Sequence, residues 1–220
     1  MGFEYLTNVP LAQARKEYLE RLVSGGFGSK TETIPVFESC GRVTAKAVYA
    51  HICAPHYAAS AMDGVAVSAK ETFGATETTP VTLKPDQFLV LDTGDPIPED
   101  KDAVIMVEDI VKNGDGSITI HAAAAPWQHI RQIGEDVCAG EMILPSHMTV
   151  SPAAIGAMIA GGVLEIEVIR KPVVGIIPTG DEIIPPCTDP KPGDILEFNG
   201  SIFSAMVRSW GAEAVVYPIV

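Results

Sequence analysis

The chain has 220 residues, with 28 acidic and 15 basic side chains and a net charge of −13 at pH 7. This acidity, without a lysine and arginine cluster, argues against a nucleic-acid-binding protein, which needs basic side chains to release counterions. No apolar run reaches the ~20 residues of a membrane span, the N-terminal residues lack the basic and apolar regions of a signal peptide, and the four cysteines are scattered. We therefore expect a reduced, cytoplasmic protein that binds neither nucleic acid nor membrane.

The first fifth of the chain predicts one helix followed by extended segments. Asn8 as N-cap, Pro10 in the first turn and Gly25-Gly26 at the end predict a helix that packs one apolar face. Residues 33–37 are predicted to form a strand, and residues 40–48 a helix or an extended segment.

Residues 65–120 predict a series of short strands separated by turns, which is typical of a small β-barrel or sandwich. The dipeptides of Asn113-Gly114-Asp115-Gly116 predict a hairpin that joins the last two strands. The predicted strands are residues 65–67, 81–83, 88–91, 104–107 and 117–120.

The remainder of the chain predicts mixed structure and then the beginning of an α/β domain. Residues 137–144 favour a strand pair with a bend at Gly140. A helix capped by Ser151 and a half-exposed strand then follow. The continuous apolar run 173–177 predicts a buried parallel strand. It is followed by a proline-rich loop over 184–192, a helix over 202–210 and a second strand over 214–220. Because an open parallel sheet needs more strands than one βαβ unit supplies, we expect the chain to be a fragment.

Ser60-Ala61-Met62-Asp63-Gly64 is the most informative stretch. An acid followed by glycine predicts a tight turn with a positive φ at Gly64, which would hold Asp63 outward on a rigid backbone. The alternative is an aspartate that only caps its own turn, since Asp-Gly is a common turn dipeptide.

Three later stretches also place a carboxylate next to a glycine turn. Taken alone, Asp136 could be a turn acid and Glu182 a carboxylate in the first turn of a helix. The stretches are Thr93-Gly94-Asp95-Pro96-Ile97-Pro98-Glu99, Arg131-Gln132-Ile133-Gly134-Glu135-Asp136 and Pro178-Thr179-Gly180-Asp181-Glu182.

In this order and spacing, the four stretches resemble the MoeA and gephyrin E-domain family, the molybdopterin molybdenumtransferases, over nearly the whole chain. The resemblance implies insertion of molybdenum from molybdate into adenylylated molybdopterin with release of AMP. It also implies Mg²⁺ as cofactor, because hard cations bind carboxylate oxygens, and a homodimer. Catalytic roles would fall to Asp63, Thr93, Asp136 and Glu182. Substrate-binding roles would fall to Ser60, Met62, Gly94, Arg131, Thr179, Gly180, Asp181 and Asn199, and metal binding to Asp63, Asp136 and Glu182.

The fold that we expect is multi-domain, α+β and α/β. A β-rich, barrel- or sandwich-like domain (residues 51–136) is inserted in an elongated mixed domain (1–50 with 137–171). The latter carries dimerisation and is followed by the truncated start of a doubly wound, molybdopterin-binding α/β domain (172–220).

Several residues depart from the family's pattern: Val65 stands for a tyrosine, Asp95 for an alanine, Gln132-Ile133 for a more basic pair, and Glu197-Phe198 for Asp-Ser or Asp-Thr. The family's Gly-Gly-x-Ser-x-Gly and Pro-Gly-Asn-Pro segments would follow Val220. We therefore expect the 220 residues alone to be an inactive dimer. Two alternatives remain, a non-catalytic scaffold module of the gephyrin type and an architectural fragment that only dimerises.

Overall fold

A computed structural model describes residues 8–28 and 30–220. The N-terminal residues that bear on a signal peptide lie outside this range. The described chain divides into two compact units. Unit 1 comprises the residues up to Ala47, Leu144–Pro152 and Glu165–Val220, and unit 2 comprises Val48–Ile143 and Ala153–Leu164. The predicted domain boundaries stay a prediction.

Strands outnumber helices in the described ranges, and none of these helices is long and apolar enough to cross a bilayer. The helices are α1 (Leu11–Ser24), α2 (Pro152–Ala160) and α3 (Asn199–Ser209). The strands are β1 (Thr31–Pro35), β2 (Val48–Tyr49), β3 (Ala59–Ser60), β4 (Gly64–Val67), β5 (Val81–Leu83), β6 (Phe88–Leu91), β7 (Ala103–Met106), β8 (Ile110–Lys112), β9 (Ile118–Ile120), β10 (Ile130–Arg131), β11 (Met142–Leu144), β12 (Glu165–Ile169), β13 (Val173–Ile176), β14 (Ile183–Ile184), β15 (Ile195–Leu196) and β16 (Glu213–Val216).

The core of unit 2 lies on two three-stranded antiparallel sheets, β6-β4-β7 and β5-β9-β8. Branched and small apolar side chains from both sheets make one buried cluster, which includes Val65, Val67, Leu83, Ile105 and Ile120. The strand-rich lobe predicted from residues 65–120 is confirmed. Its strands form separate short sheets, and no closed barrel forms in the part of the chain that the structure describes.

Glycine is required at position 64 because of a close contact between strands, and not because of the predicted turn conformation. It is the first residue of β4 and lacks the predicted positive φ. Instead, a β-carbon at Gly64 would lie 2.0 Å from the carbonyl oxygen of Ile105 on β7. Glycine therefore lets the central strand β4 and its neighbour β7 approach closely directly after Asp63.

The predicted hairpin forms, but it joins a different pair of strands. Residues 113–116 connect β9 to β8, which the sequence did not predict, and not to β7. The turn closes where the Asn113 backbone N–H donates to the Ser117 carbonyl at 2.9 Å and the Asn113 side-chain amide donates to the Ser117 hydroxyl oxygen, also at 2.9 Å. A short 3-10 turn, Val107–Asp109, separates β7 from β8. This interruption leaves β8 too short to show a clear period in the sequence.

In unit 1, β1 pairs antiparallel with β12, and Arg42 ties the two strands together. Its guanidinium donates to the Glu32 carboxylate on β1 and to the Ile169 carbonyl on β12. Helix α1 begins after Pro10, which occupies the N-cap position, so the prediction of Asn8 as the cap is wrong. Among the described residues, α1 buries none of its side chains.

The C-terminal part of unit 1 contains the predicted βαβ arrangement. Strands β13 and β16 pair in parallel, with α3 between them along the chain. The burial predicted for residues 173–177 is wrong for the described chain, because Val173 is 64% exposed and Ile177 60% exposed. A second parallel pair, β14 with β15, flanks the predicted proline-rich loop and was not predicted, since two-residue strands leave no period.

We expect Gly64→Ala to destabilise the chain by about 3 kcal/mol, because the added methyl group meets backbone that cannot rotate away. Gly114→Ala is the matched control: it has open space around its α-carbon and should change the free energy of unfolding by less than about 0.5 kcal/mol. Urea unfolding of both variants measures the difference. Equal stability of the two would contradict the close approach.

Candidate functional site

Asp63 is exposed, and its carboxylate is fixed by one neighbouring residue. The Thr93 backbone N–H and the Thr93 hydroxyl both donate to Oδ1 of Asp63, each at 2.7 Å. Among the described residues no hydrogen bond to Oδ2 is found. One oxygen is thus held in place while the other stays available to a ligand.

The backbone around Asp63 is anchored to the core of unit 2. The Val107 N–H donates to the Asp63 carbonyl at 3.0 Å, directly before β4 enters the sheet. Ser60, which is fully buried, donates its hydroxyl to the Met62 carbonyl at 2.5 Å. Asp63 therefore stands on a backbone that is bonded on both sides.

The Thr93 turn is bonded to the same strand that precedes Asp63. The Gly94 N–H donates to the Ser60 carbonyl, and the Ser60 N–H donates to the Asp95 carbonyl, both at 2.9 Å. Gly94 has φ of +95°, a conformation that favours glycine. The Asp95 carboxylate, which departs from the family's alanine, accepts the Asp92 N–H at 3.0 Å and closes the turn.

Tyr57 supports this turn and was missed by the sequence analysis. Its hydroxyl donates to the Gly94 carbonyl at 2.9 Å, so it acts as a positioning residue for the Thr93 turn. Its only sequence signal is an aromatic residue shortly before the Ser60–Gly64 stretch, which is too common a feature to predict this contact.

A second pair of predicted site residues, Arg131 and Asp136, is also in direct contact. One guanidinium nitrogen of Arg131 donates to both carboxylate oxygens of Asp136, each at 2.7 Å, and Nε donates to Glu135 at 3.4 Å. Arg131 lies on β10, which pairs with β3, so Ala59 stands opposite Arg131 and Ser60 opposite Ile130. Strand β3 thus connects this pair to the Thr93 turn.

The electrostatics of the two pairs differ. The hydroxyl and then the N–H of Thr93 lower the pKa of Asp63 below its ordinary value of 3.8, so Asp63 is an anion at neutral pH. The hydrogen bond that Arg131 donates to Asp136 raises the pKa of Arg131. Arg131 already donates hydrogen bonds to two carboxylates. A phosphate that binds Arg131 would therefore have to accept from it alongside these carboxylates or displace one of them.

The remaining predicted site residues belong to unit 1. Gly180 has φ of +149° in the turn after β13, and the Ile183 N–H donates to its carbonyl at 3.1 Å. Glu182 lies in this turn rather than in a helix, so its reading as a first-turn helix carboxylate is wrong. Asn199 is the first residue of α3. Thr179 and Asp181 are exposed.

The donor set fits magnesium in one way only. Within the described ranges, no group of three His, Cys, Asp or Glu side chains is assembled for a metal ion. Both carboxylate oxygens of Asp136 accept hydrogen bonds from Arg131. Only one oxygen of Asp63 is bonded, by Thr93, and the other is available to a ligand. This fits a Mg²⁺ ion that one carboxylate, water and substrate phosphates hold together, which is how proteins commonly bind it.

The part of the chain that carries these residues is similar to known proteins. The family model for the MoeA N-terminal region (domain I and II) matches residues 9–162, a span that contains Asp63, Thr93, Arg131 and Asp136. The chain belongs to the MoeA family. Its relatives include molybdopterin molybdenumtransferase 2 of Mycobacterium tuberculosis, at 36% identity over 83% of this chain and 49% of the relative. Molybdopterin molybdenumtransferase of Haemophilus influenzae is 33% identical over 93% of this chain and 53% of the relative.

The fold agrees with that of a solved MoeA structure. The crystal structure of the molybdopterin biosynthesis MoeA protein from Pyrococcus horikoshii OT3 matches with a TM-score of 0.79 at 31% identity, over 87% of this chain and 55% of that one. The chain therefore has the fold of the N-terminal part of MoeA. It spans about half the length of the curated relatives that it matches.

Within this MoeA chain, we expect Thr93→Val to raise the pKa of Asp63 toward its ordinary value, because valine keeps the shape of threonine but removes the hydroxyl donor. Thr93→Ser, which keeps the donor, is the control and should leave the pKa low. Titration of the Asp63 carboxyl carbon by NMR measures both. A valine variant that titrates like the wild type would contradict the hydroxyl's role.

The same hydrogen bonds predict the sign of a pH effect. Since the pKa of folded Asp63 is lowered, its contribution to stability is present above pH 3.8 and is lost as the pH falls through the lower, folded value. In Thr93→Val this loss should be smaller and confined to a narrower pH range.

Proposed function

We propose that the whole protein inserts molybdenum from molybdate into adenylylated molybdopterin and releases AMP. Membership of the MoeA family and relatives named molybdopterin molybdenumtransferase support a transferase of molybdenum cofactor biosynthesis. The observation that carries the proposal is the Asp63–Thr93 pair, an exposed anion that is fixed before any substrate arrives. We include the cytoplasmic location predicted from the sequence in this proposal.

The proposed catalysis rests on positioning and electrostatics. A carboxylate held by two hydrogen bonds does not need to reorganise when substrate binds, which lowers the barrier to reaction. Oδ2 of Asp63 is available as an acceptor for a polar group of the substrate or as a ligand of Mg²⁺. When bound, Mg²⁺ would neutralise phosphate charge in this otherwise acidic chain.

Arg131 would contribute through its exposed guanidinium, whose side chain is 40% accessible. We propose that a substrate phosphate shares Arg131 with Asp136, and that Asp136 keeps the guanidinium in orientation. In unit 1, the backbone of Thr179 and Gly180 and the side chains of Asp181, Glu182 and Asn199 are proposed to bind other parts of the substrate. Met62 and Gly94 are proposed to contact it through the backbone of their turns.

A scaffold or dimerisation module of the gephyrin type is a second candidate function. It is favoured by α1, on which Leu11 is 84% exposed, Tyr18 63% and Val23 74%. Apolar residues in such number on one short helix indicate a surface that a partner covers. The two functions differ in whether the protein needs Asp63.

Asp63→Ala should lower AMP release by the whole protein on the order of 100-fold, because a preorganised charge is lost. The control Asp86→Ala removes another exposed carboxylate of unit 2 and should keep wild-type activity. Adenylylated molybdopterin, molybdate and MgCl₂ are the substrates, and thermal melting checks folding. Wild-type turnover by Asp63→Ala would favour the scaffold function, and equal losses of activity and stability would favour a structural role.

The 220 residues alone should form a dimer that releases no AMP in multiple turnover. The exposed apolar face of α1 supports the dimer, and the exposure of β13 supports the inactivity, since an uncovered sheet cannot hold donors in fixed positions. Light scattering at several concentrations measures the mass, with the whole protein as the active control. A monomer at every concentration would contradict the predicted dimer, and sustained AMP release would contradict the predicted inactivity.

A further inference from the structure

Two cysteines of unit 2, Cys53 and Cys138, adjoin an isolated antiparallel bridge between Ala54 and Val137. The Ala54 N–H donates to the Val137 carbonyl at 2.8 Å, and the Val137 N–H donates back to the Ala54 carbonyl at 3.2 Å. These two residues are therefore a hydrogen-bonded pair. Cys53 directly precedes Ala54 and Cys138 directly follows Val137, so the two cysteines flank the bridge on the same side.

Residues next to a hydrogen-bonded antiparallel pair commonly have α-carbons about 4.5 Å apart, and disulfides bridge α-carbons that are roughly 4.4 to 6.8 Å apart. A second backbone hydrogen bond lies beyond the cysteines, where the Gly140 N–H donates to the Ala50 carbonyl at 2.8 Å. The backbones are thus held on both sides of the two thiols.

Both sulfur atoms point into the same small volume beside Gly134. A β-carbon at Gly134 would lie 2.8 Å from Sγ of Cys138 and 3.6 Å from Sγ of Cys53. The Cys138 thiol donates to the Gly134 carbonyl at 3.4 Å, and Sγ of Cys53 accepts the Ala139 N–H at 3.3 Å. The missing side chain at position 134 thus leaves this volume to the two sulfurs.

We propose that Cys53 and Cys138 are a redox modification site that forms a reversible disulfide with hydrogen peroxide as the oxidant. Cys138, the exposed thiol, attacks peroxide as its thiolate. The O–O bond breaks, and Cys138 sulfenic acid and one water form. The Cys53 sulfur then displaces the sulfenic oxygen as a second water, and the S–S bond forms. Two thiols lose two electrons and two protons, which reduce peroxide to water. A small thiol reverses the step by exchange.

The disulfide would act on the segment that carries Asp136. The Asp136 N–H donates to the Ala54 carbonyl at 2.9 Å, and the Gly134 N–H donates to the Pro55 carbonyl at 3.0 Å. Cys138 must leave its bond to the Gly134 carbonyl to reach Cys53. Oxidation therefore changes the surroundings of residues 134–136. It also anchors the chain that follows them through a covalent bond at Cys138.

The test uses the reduced 220-residue chain, treated with hydrogen peroxide and then alkylated with N-ethylmaleimide. Intact mass should show the loss of two hydrogens and two of the four alkylatable thiols, and peptide mapping should find Cys53 joined to Cys138. Dithiothreitol should restore four alkylations. Cys53→Ser and Cys138→Ser should each abolish the cross-link, whereas the control Cys40→Ser/Cys187→Ser should keep it.

Other outcomes would overturn the proposal. These are cross-links that join the four cysteines without preference, cross-links between molecules only, or oxidation to sulfinic acid without a cross-link. If a serine variant melts at a lower temperature, the peptide map of the wild-type chain decides alone. None of these readouts depends on transferase activity, so failure here is distinguishable from failure of the proposed function.

Discussion

The paired hydrogen bonds from Thr93 to one oxygen of Asp63 are the constraint on which the candidate site depends. They join two turns that are 30 residues apart in sequence, and each turn is separately bonded to Ser60 or to the β7 end of the core sheet. Because Gly64 lets β4 lie against the backbone of Ile105, Asp63 emerges at a fixed point of that sheet. The position of the carboxylate is thus a consequence of core packing.

The charge balance bears on how the proposed function would handle an anionic substrate. The chain carries a net charge of −13, and Arg131 is already bonded to Asp136 and Glu135. Under the proposed function, phosphate binding at unit 2 would rely on backbone N–H groups, on a shared guanidinium and on a divalent cation. This agrees with the single free oxygen of Asp63 better than with a cage of three carboxylates.

Glycines place functional groups in unit 2 by two different physical means. Gly94 adopts a left-handed conformation that closes the Thr93 turn. Gly64 instead leaves out a side chain where backbone occupies the space, and Gly134, with φ of +76°, combines both, since two sulfurs lie where its side chain would stand. The first use depends on conformational freedom and the second on volume. A substitution at Gly134 would therefore disturb both thiols, Cys53 and Cys138, and through them the backbone beside Asp136.

The sequence by itself determined the strand-rich lobe and the parallel pair β13 and β16, because local patterns of apolar spacing and turn residues encode them. It indicated the family only through the resemblance of the motifs that carry Asp63, Thr93, Arg131 and Asp136. Only the tertiary structure decided the role of Gly64, the strand that pairs across residues 113–116, the contact of Tyr57 with the Thr93 turn and the apposition of Cys53 and Cys138. These depend on contacts between residues far apart in the chain, and no local period or dipeptide encodes which distant backbone will lie against a given residue.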